Sequence, residues 1–282
     1  MFMYQRAFII CCLFIMMVPL SCHGADTTPL RVGIMPFNST LALFKTHQPL
    51  RQHLQNVLGR KVDFYTSLDY EAFLKDSLEG QFDLLITGPH FAVMSIKSGY
   101  QPLFHYKAVL QPLFVVKKGS SIVTISDLKR KKIGLSSRLS ISSIGGLKWL
   151  EDHGLKVGRD FQLFERPTHG AAVAAVAIGE LDAALTTFTP LKQVPEDIRS
   201  TTKLLVTDIK TPHLMTLAHE RLGIKEIERI RAALIAFQTV PAGKTFFQET
   251  GYVGYEPVTA MDIKKLQPYI ELTRTILQQK GQ

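Results

Sequence analysis

The chain has 282 residues, of which 46% are hydrophobic and 20% charged, and 33 basic residues outweigh 24 acidic ones to give a formal net charge of +9. No stretch interleaves aromatic with basic residues in the manner of a nucleic-acid-binding surface, so we expect no nucleic-acid partner and interpret the basic excess mainly as solvated surface. Beyond the amino-terminal segment no apolar run reaches about 18 residues, which excludes a second membrane span.

The first 24 residues have the pattern of a secretory signal peptide. A single Arg6 precedes the apolar run Ala7–Leu20, which is too short for a comfortable membrane span and is followed by small residues. We expect cleavage after Gly24 and a periplasmic mature chain. Lipid attachment at Cys22 is the alternative, although a proline three positions earlier fits a lipobox poorly. All three cysteines lie in this segment, so the mature chain needs no disulfide.

The mature chain opens with alternating strands and helices. The sequence predicts a strand at Leu30–Ile34, a helix that ends at Gly59, and further strands at Val62–Tyr65 and Phe82–Ile86, with a second helix between the last two. Near-continuous apolar strands that alternate with helices are typical of a mostly parallel sheet covered on both faces. We therefore predict an α/β fold.

A serine-rich segment, residues 133–146, is the first candidate for a ligand site. A short apolar strand ending at Leu135 runs into five serines, and apolar residues at helical spacing begin at Ile144. Serine is a preferred N-cap, and the free N–H groups and dipole of a first helical turn attract anions. The segment is a candidate anion cradle, and an ordinary serine-rich turn is the alternative.

The strand and helix pattern recurs about 99 residues later, which is the separation of Tyr70 and His169. A strand, a loop, a small-residue helix and the strand Leu181–Leu185 follow in the same order as before. Asp83 and Asp182 each lie 13 residues after the Tyr or His. An echo of this kind indicates two similar α/β lobes.

Two apolar, β-branched segments, Pro102–Val116 and Leu204–Leu217, predict two crossings between the lobes. We expect a two-lobed clamshell in which residues 25–108 and 212–282 form lobe 1 and residues 109–211 form lobe 2. Ligands in such folds bind in the cleft, at strand ends and helix N-termini, and closure is a hinge motion.

Five motifs in order along the chain carry a family resemblance. They are Leu30–Pro36, Asp69–Ala72, Phe82–Pro89, the serine-rich segment from Lys131, and Thr168–Ala172. Together they resemble the periplasmic binding proteins of ABC transporters for phosphonate, phosphite and phosphate, and the resemblance covers most of the mature chain. It implies the type II periplasmic-binding fold, a small oxyanion ligand and a membrane permease as partner. We expect a monomer with no metal and no cofactor.

The resemblance also implies which side chains face the ligand. Most share hydrogen-bonding groups placed at strand or helix ends: Tyr70, Ser140, Ser142 and His169, with Thr87 and Thr186 or Thr187 as further wall residues. Ile141, between the two serines, is the eighth position expected to face the ligand. Such hydroxyls, an imidazole and the N–H groups of a first helical turn can together donate to three oxygens of a tetrahedral anion.

Four positions depart from the family's pattern. Ile141 stands between the two ligand-facing serines where threonine is usual, and Phe91 stands where tyrosine is frequent. Gly170 replaces a residue that is often acidic, and Ser143 replaces a glycine. The backbone donors survive these changes, so we still expect an anion site, in a drier pocket whose preferred ligand could differ.

The leading hypothesis is a non-enzymatic protein that captures a small oxyanion and delivers it to an ABC permease. A sensor of the same fold that signals to a membrane receptor, or a binder of a different small anion, is the alternative. A hydrolase is disfavoured because the chain has no Gly-x-Ser-x-Gly, His-Glu-x-x-His or P-loop motif. His47 and His53 do not share a helical face well, and we interpret them as surface residues.

Overall fold

Two β-sheets organise residues 28–280, which are the residues that the computed structural model describes. The predicted signal peptide, its cleavage point and Cys22 lie outside this range. The strands, in chain order, are β1 (Leu30–Ile34), β2 (Val62–Tyr65), β3 (Leu84–Thr87), β4 (Tyr100–Tyr106), β5 (Pro112–Lys117), β6 (Lys132–Leu135), β7 (Gln162–Glu165), β8 (Ala183–Thr187), β9 (Thr202–Val206), β10 (Met215–His219) and β11 (Tyr255–Pro257).

Helices connect these strands and cover both sheets. They are α1 (Thr40–Leu58), α2 (Tyr70–Leu78), α3 (Pro89–Ser95), α4 (Ile141–Asp152), α5 (His169–Ala177), α6 (Phe188–Lys192), α7 (Glu196–Arg199), α8 (Gly223–Phe237), α9 (Pro241–Thr250), α10 (Ala260–Lys265) and α11 (Gln267–Lys280). Within the described range, none of these helices combines the length and the apolar character that crossing a bilayer requires.

The six-stranded sheet has the order β11-β4-β10-β3-β1-β2, and the five-stranded sheet has the order β7-β6-β8-β5-β9. We call the elements around the first sheet lobe 1 and those around the second lobe 2. In lobe 1, β10 pairs antiparallel between β3 and β4, and β5 does the same between β8 and β9 in lobe 2. Four of the six strands in the first sheet and four of the five in the second run in the same direction, although some of their neighbours are antiparallel. Both sheets are therefore mixed.

The internal repeat has a physical basis in both lobes. The carboxylate of Asp83 accepts from the backbone N–H of Arg31 in β1 at 2.8 Å, and Asp182 accepts from Lys132 in β6 at the same distance. Each bond ties the start of one strand, β1 or β6, to the turn that precedes the parallel strand beside it, β3 or β8. The two aspartates therefore have the same structural role, which is a physical reason for their equal spacing from Tyr70 and His169.

Alternate side chains of β5 face opposite sides of the sheet and belong to two separate hydrophobic clusters of lobe 2. Phe114 and Val116 belong to the cluster under α4, whereas Leu113 and Val115 belong to the cluster under α5. The lobe 1 core forms a separate cluster, and it also contains Leu139 from the serine-rich segment of lobe 2. The two lobes are therefore in apolar contact beside the cleft.

The surface assignment of two histidines from the sequence was wrong. His47 is fully buried and contacts the rings of Phe246 and Tyr252. His53 is half-buried, and its Nε2 bonds the carbonyl oxygen of Ala233 at 2.8 Å. Both α8 and α9 pack on α1, so residues on more than one side of this helix are covered, which the spacing within α1 does not reveal.

Candidate functional site

A small cavity of about 30 Å³ lies between the lobes, at the ends of strands and the beginnings of helices. Three of its lining groups come from helix N-termini: Tyr70 opens α2, Ser140 caps α4 and His169 opens α5. Each helix carries partial positive charge at this end because its first N–H groups have no partner within the helix. The convergence of three such ends makes the cavity attractive to an anion.

Tyr70 is positioned by the cap of α2, in which the Asp69 carboxylate accepts from the Ala72 N–H at 2.9 Å. Its hydroxyl is buried and makes no hydrogen bond of ordinary geometry with the described residues. Burial raises the pKa of Tyr70 to about 12, and the nearby hydroxyls of Ser136 and Ser140 oppose this only in part. At neutral pH the phenol is therefore a neutral donor, and its proton is available to a ligand.

His169 has the corresponding place in lobe 2. The Thr168 hydroxyl caps α5 by accepting from the Ala171 N–H at 3.1 Å, and the imidazole Nε2 lies 3.1 Å from the Ser136 hydroxyl. Nδ1 is buried and has no partner of bonding geometry among the described residues, although the Leu185 carbonyl lies near it. Burial lowers the pKa of His169 to about 4 and outweighs that carbonyl. The ring is neutral at pH 7.

The serine-rich segment places hydroxyl groups and the N-terminus of α4 at the same cavity. Ser140 takes the N-cap position, but its side chain makes no capping bond and instead lies 2.6 Å from the Ser142 hydroxyl. Both side chains are almost fully buried. The Ser143 hydroxyl is also buried and has no partner among the described residues. The first turn of α4 thus presents free N–H groups together with hydroxyls that can reorient toward a ligand.

The cavity holds no formal charge at neutral pH. Among the described residues that line it, none is Asp, Glu, Lys or Arg, and its two histidines are His169 and His213. Burial and the nearby His105 lower the pKa of His213 to about 3, so this ring is neutral as well. Attraction for an anion must then come from helix dipoles, hydroxyls and N–H groups, which bind an oxyanion without fixing a counter-charge beside it.

Six of the eight residues predicted to face the ligand line the cavity: Tyr70, Ser140, Ile141, Ser142, His169 and Thr187. Thr87 does not, because its hydroxyl points to the Met35 sulfur at 3.7 Å. Thr186 does not line it either, because side chains alternate along β8 and only its neighbour Thr187 faces the cavity.

The structure adds residues that sequence reasoning missed. Phe37 follows β1, Thr189 lies in α6, and Tyr252 comes from the carboxy-terminal part of lobe 1. The His213 Nδ1 accepts from the Leu214 N–H at 2.8 Å, so its Nε2 carries the proton and bonds the Thr189 hydroxyl at 3.1 Å. The repeat could have indicated Thr189, since it lies 99 residues after His90. No local signal marks Tyr252 or His213.

Further hydrogen bonds join the lobes beside the cavity. His90, in the first turn of α3, bonds through Nε2 to the Leu139 carbonyl oxygen of the serine-rich segment at 2.9 Å. At the mouth, the Asn38 amide donates to the Gln193 side-chain oxygen, also at 2.9 Å. These contacts hold the cleft closed around the cavity.

Residues 32–263 match the family model of the periplasmic substrate-binding protein of ABC phosphonate transporters. The fold is similar to PhnD1 from Prochlorococcus marinus in complex with methylphosphonate, with a TM-score of 0.76 and 17% identity over 88% of this chain and 97% of that one. It is also similar to a binding component of an ABC phosphonate transporter from Pseudomonas aeruginosa, with a TM-score of 0.75 and 13% identity over 91% and 100% of the two chains.

A sulfonate-binding protein is more distant. The alkanesulfonate-binding protein SsuA from Xanthomonas axonopodis pv. citri, bound to MOPS, has a TM-score of 0.57 and 19% identity over 89% of this chain and 94% of that one. The structural neighbours share the two-lobed architecture that the sequence predicted, and that prediction is confirmed.

Proposed function

Because the chain belongs to the family of periplasmic substrate-binding proteins of ABC phosphonate transporters, we propose that the cavity at Tyr70, Ser140, Ser142 and His169 binds a phosphonate-class oxyanion. The family consists of non-enzymatic components that capture a solute in the periplasm for a membrane permease, and we assign that role to this chain. The bound methylphosphonate of the Prochlorococcus marinus protein supports the ligand class.

The observation that carries the proposal is the convergence of three helix N-termini on an uncharged, buried cavity. The Tyr70 hydroxyl lines this cavity and is buried without a partner of bonding geometry among the described residues. Leaving a buried polar group unpaired costs about 1–3 kcal/mol. An oxyanion that accepts from this hydroxyl removes that cost, whereas an apolar ligand does not.

The ligand contacts that we propose follow from these positions. The Tyr70 and Ser142 hydroxyls and the N–H groups of the first turn of α4 donate to the oxyanion. His169 lines the same cavity, and its Nε2 lies 3.1 Å from the Ser136 hydroxyl. Ile141 and Thr187 form walls of the cavity.

A thermal-shift screen tests the proposal on residues 25–282 in phosphate-free buffer. Phosphate, phosphite, methylphosphonate and ethylphosphonate are compared with sulfate and small carboxylates. A ligand at a hundred times its dissociation constant stabilises by about 2.7 kcal/mol, which is visible as a shift of several degrees. We expect shifts with phosphorus oxyanions and a reduced shift in Ser142→Ala.

The matched control for that variant is Ser77→Ala. Ser77 is as deeply buried as Ser142, but its hydroxyl bonds the Phe73 carbonyl within α2, away from the cavity. This variant should lose stability and keep its ligand shifts. Folded wild-type protein that responds to no phosphorus oxyanion would refute the assignment of the ligand class.

We also propose the division of the chain into residues 25–108 with 212–282 and residues 109–211, since every strand of each sheet falls within one of these parts. A monomer in solution and a mature chain that starts at residue 25 complete the proposal. Light scattering of the secreted protein and its intact mass test these two points, and a lipid-modified Cys22 would contradict the second.

A further inference from the structure

A second, larger cavity of about 150 Å³ adjoins the anion site. The two cavities share Phe37, His169 and Pro190 in their linings. The remaining residues of the second cavity are Asn38, Gly170, Gln193, Val194, Pro195 and Ile198. It lies at the mouth of the cleft, where lobe 1 meets the α5 to α7 side of lobe 2.

The lining of this second cavity is uncharged and combines apolar with polar surface in about equal parts. Phe37, Val194 and Ile198 supply apolar surface, and Asn38 bridges the lobes by its bond to the Gln193 side chain. The Gln193 Nε2 is buried and has no partner among the described residues. No Asp, Glu, Lys or Arg is found among the described residues that line either cavity.

Burying a charge without an opposite charge or full hydrogen bonding is costly. A ligand whose oxyanion lies at the three helix N-termini can place the rest of its atoms in the adjoining cavity. An ammonium group there would find no carboxylate. A short alkyl group would instead contact the apolar wall, and one hydrogen-bond acceptor on it could use the Gln193 amide.

We propose that the cavity of Phe37, Gly170, Gln193, Val194 and Ile198 is the subsite for the organic substituent of the ligand, and that it accepts short uncharged substituents and rejects ammonium groups. The inference rests on the proposed function, because it needs the oxyanion at the neighbouring site. The ligand class is then the neutral-substituted phosphonates, as distinct from aminoalkylphosphonates and from inorganic phosphate.

Gly170 is a position at which this selectivity can be changed, because it lines the second cavity. It is the second residue of α5, and its φ lies outside the left-handed region. A Cβ there would meet only the Thr168 hydroxyl and a Val194 methyl group, both at the ordinary contact distance of 3.8 Å. A carboxylate in the first turn of a helix is also favoured by the helix dipole. An aspartate can therefore be accommodated at residue 170, beside the subsite.

Isothermal titration of residues 25–282 tests the inference with ethylphosphonate, 2-aminoethylphosphonate and phosphate. The first two have the same chain length and differ by the ammonium group. We expect the wild-type protein to bind ethylphosphonate at least tenfold more tightly than either of the others. Gly170→Asp should raise the ratio of aminoethyl to ethyl affinity at least tenfold, whereas the isosteric, uncharged Gly170→Asn should not.

The possible results distinguish a failure of the subsite proposal from a failure of the proposed oxyanion capture. Equal wild-type affinity for ethylphosphonate and 2-aminoethylphosphonate, or the same change of ratio in the Asp and Asn variants, would overturn the subsite and leave oxyanion capture intact. Tight binding of phosphate with both organic ligands excluded would do the same. Failure of folded protein to bind any of the three would overturn the proposed function. The wild-type comparison needs no variant to fold.

Discussion

The imidazole of His90 reaches from lobe 1 to the carbonyl oxygen of Leu139 in lobe 2, and the two atoms are 2.9 Å apart. Both residues are buried, and Leu139 immediately precedes the N-cap of α4. The carbonyl can only accept, so the His90 Nε2 carries a proton. Burial lowers the pKa of His90 to about 4, so the ring is neutral at pH 7 and this proton is its only one. One hydrogen bond thus fixes the anion cradle against the opposite lobe.

His90→Phe keeps a ring at this position and removes the donor. We expect ligand affinity to fall by about 0.5–1.5 kcal/mol, the net value of one hydrogen bond, because only the closed form makes this bond. Titration calorimetry measures the loss, and small-angle scattering should show a more open ligand-free protein. His53→Phe is the control, since it removes a similar bond, to Ala233, that lies within lobe 1. If both variants bound ligand equally well, the cross-lobe bond would have no role in closure.

Tyr70→Phe should separate binding from stability. Its hydroxyl is buried and unpaired in the ligand-free protein, so the free energy of unfolding should stay the same or rise. Ligand affinity should fall by about 1–3 kcal/mol, since a hydrogen bond to a charged group is lost. Urea denaturation and calorimetry measure the two quantities.

Tyr100→Phe is the counterpart, because the Tyr100 hydroxyl donates to the Phe82 carbonyl at 2.8 Å in the core of lobe 1. That variant should be less stable and bind normally. Destabilisation of Tyr70→Phe with unchanged affinity would remove Tyr70 from the ligand site.

Stability should fall as the pH is lowered below about 6.5. Burial lowers the pKa values of His47, His90 and His169 to about 4 and that of His213 to about 3. Between pH 6.5 and 4 the unfolded chain binds more protons than the folded one, so the free energy of unfolding decreases with decreasing pH. Each such histidine contributes a slope of at most about 1.4 kcal/mol per pH unit.

Urea denaturation at pH 7, 6 and 5 measures this slope. His47→Phe tests one contribution by itself, since His47 packs on Phe64 and Phe246 and does not line the cavity. The variant should be less sensitive to acid than the wild type and bind ligand with the same affinity at pH 7. A slope that did not change would show that His47 is not protonated on unfolding in this range.

Gly146→Ala should destabilise lobe 2. A Cβ at Gly146 would lie 2.5 Å from a methyl group of the buried Leu185, so either this side chain leaves its position in the core or α4 moves away from β8. Overpacking of this kind typically costs about 1–3 kcal/mol. Gly170→Ala is the matched control on α5, where no atom lies within 3.4 Å of the new Cβ, and helix propensity should make it neutral or stabilising by up to about 1 kcal/mol. Thermal denaturation compares the two variants, and equal melting temperatures would contradict the packing argument.

The strands and helices of both lobes could be predicted because their signals are local. The strand at residues 30–34 and the helix end at Gly59 appear in the structure where the apolar pattern and the glycine placed them. The pattern of the sequence predicted helices after Tyr70 and His169, and the structure shows that these two residues are the first residues of α2 and α5 and do not belong to the preceding loops. The serine-rich segment could be predicted as a helix start because an N-cap can be recognised from the sequence, and this helix start places Ser140 and Ser142 at the cavity.

The remaining walls depend on packing between distant parts of the chain. Tyr252 reaches the cavity from a loop after α9, and His90 reaches Leu139 from the opposite lobe. Thr186 and Thr187 are the same residue type, and only the register of β8 decides which one faces the cavity. The second cavity, with Gly170 at its wall, exists only once both lobes are in place.

Leu139 and Ile141 belong to the serine-rich segment, yet both are buried in the hydrophobic cluster of lobe 1. Opening the cleft returns these side chains to water, at about 25 cal/mol for each Å² of apolar surface, whether or not a solute is present. Leu139 does not line the ligand cavity. The residence time of a captured solute is therefore lengthened by an apolar contact between the lobes that the solute itself does not make. A permease that unloads this protein has to separate these two apolar surfaces before the solute can leave.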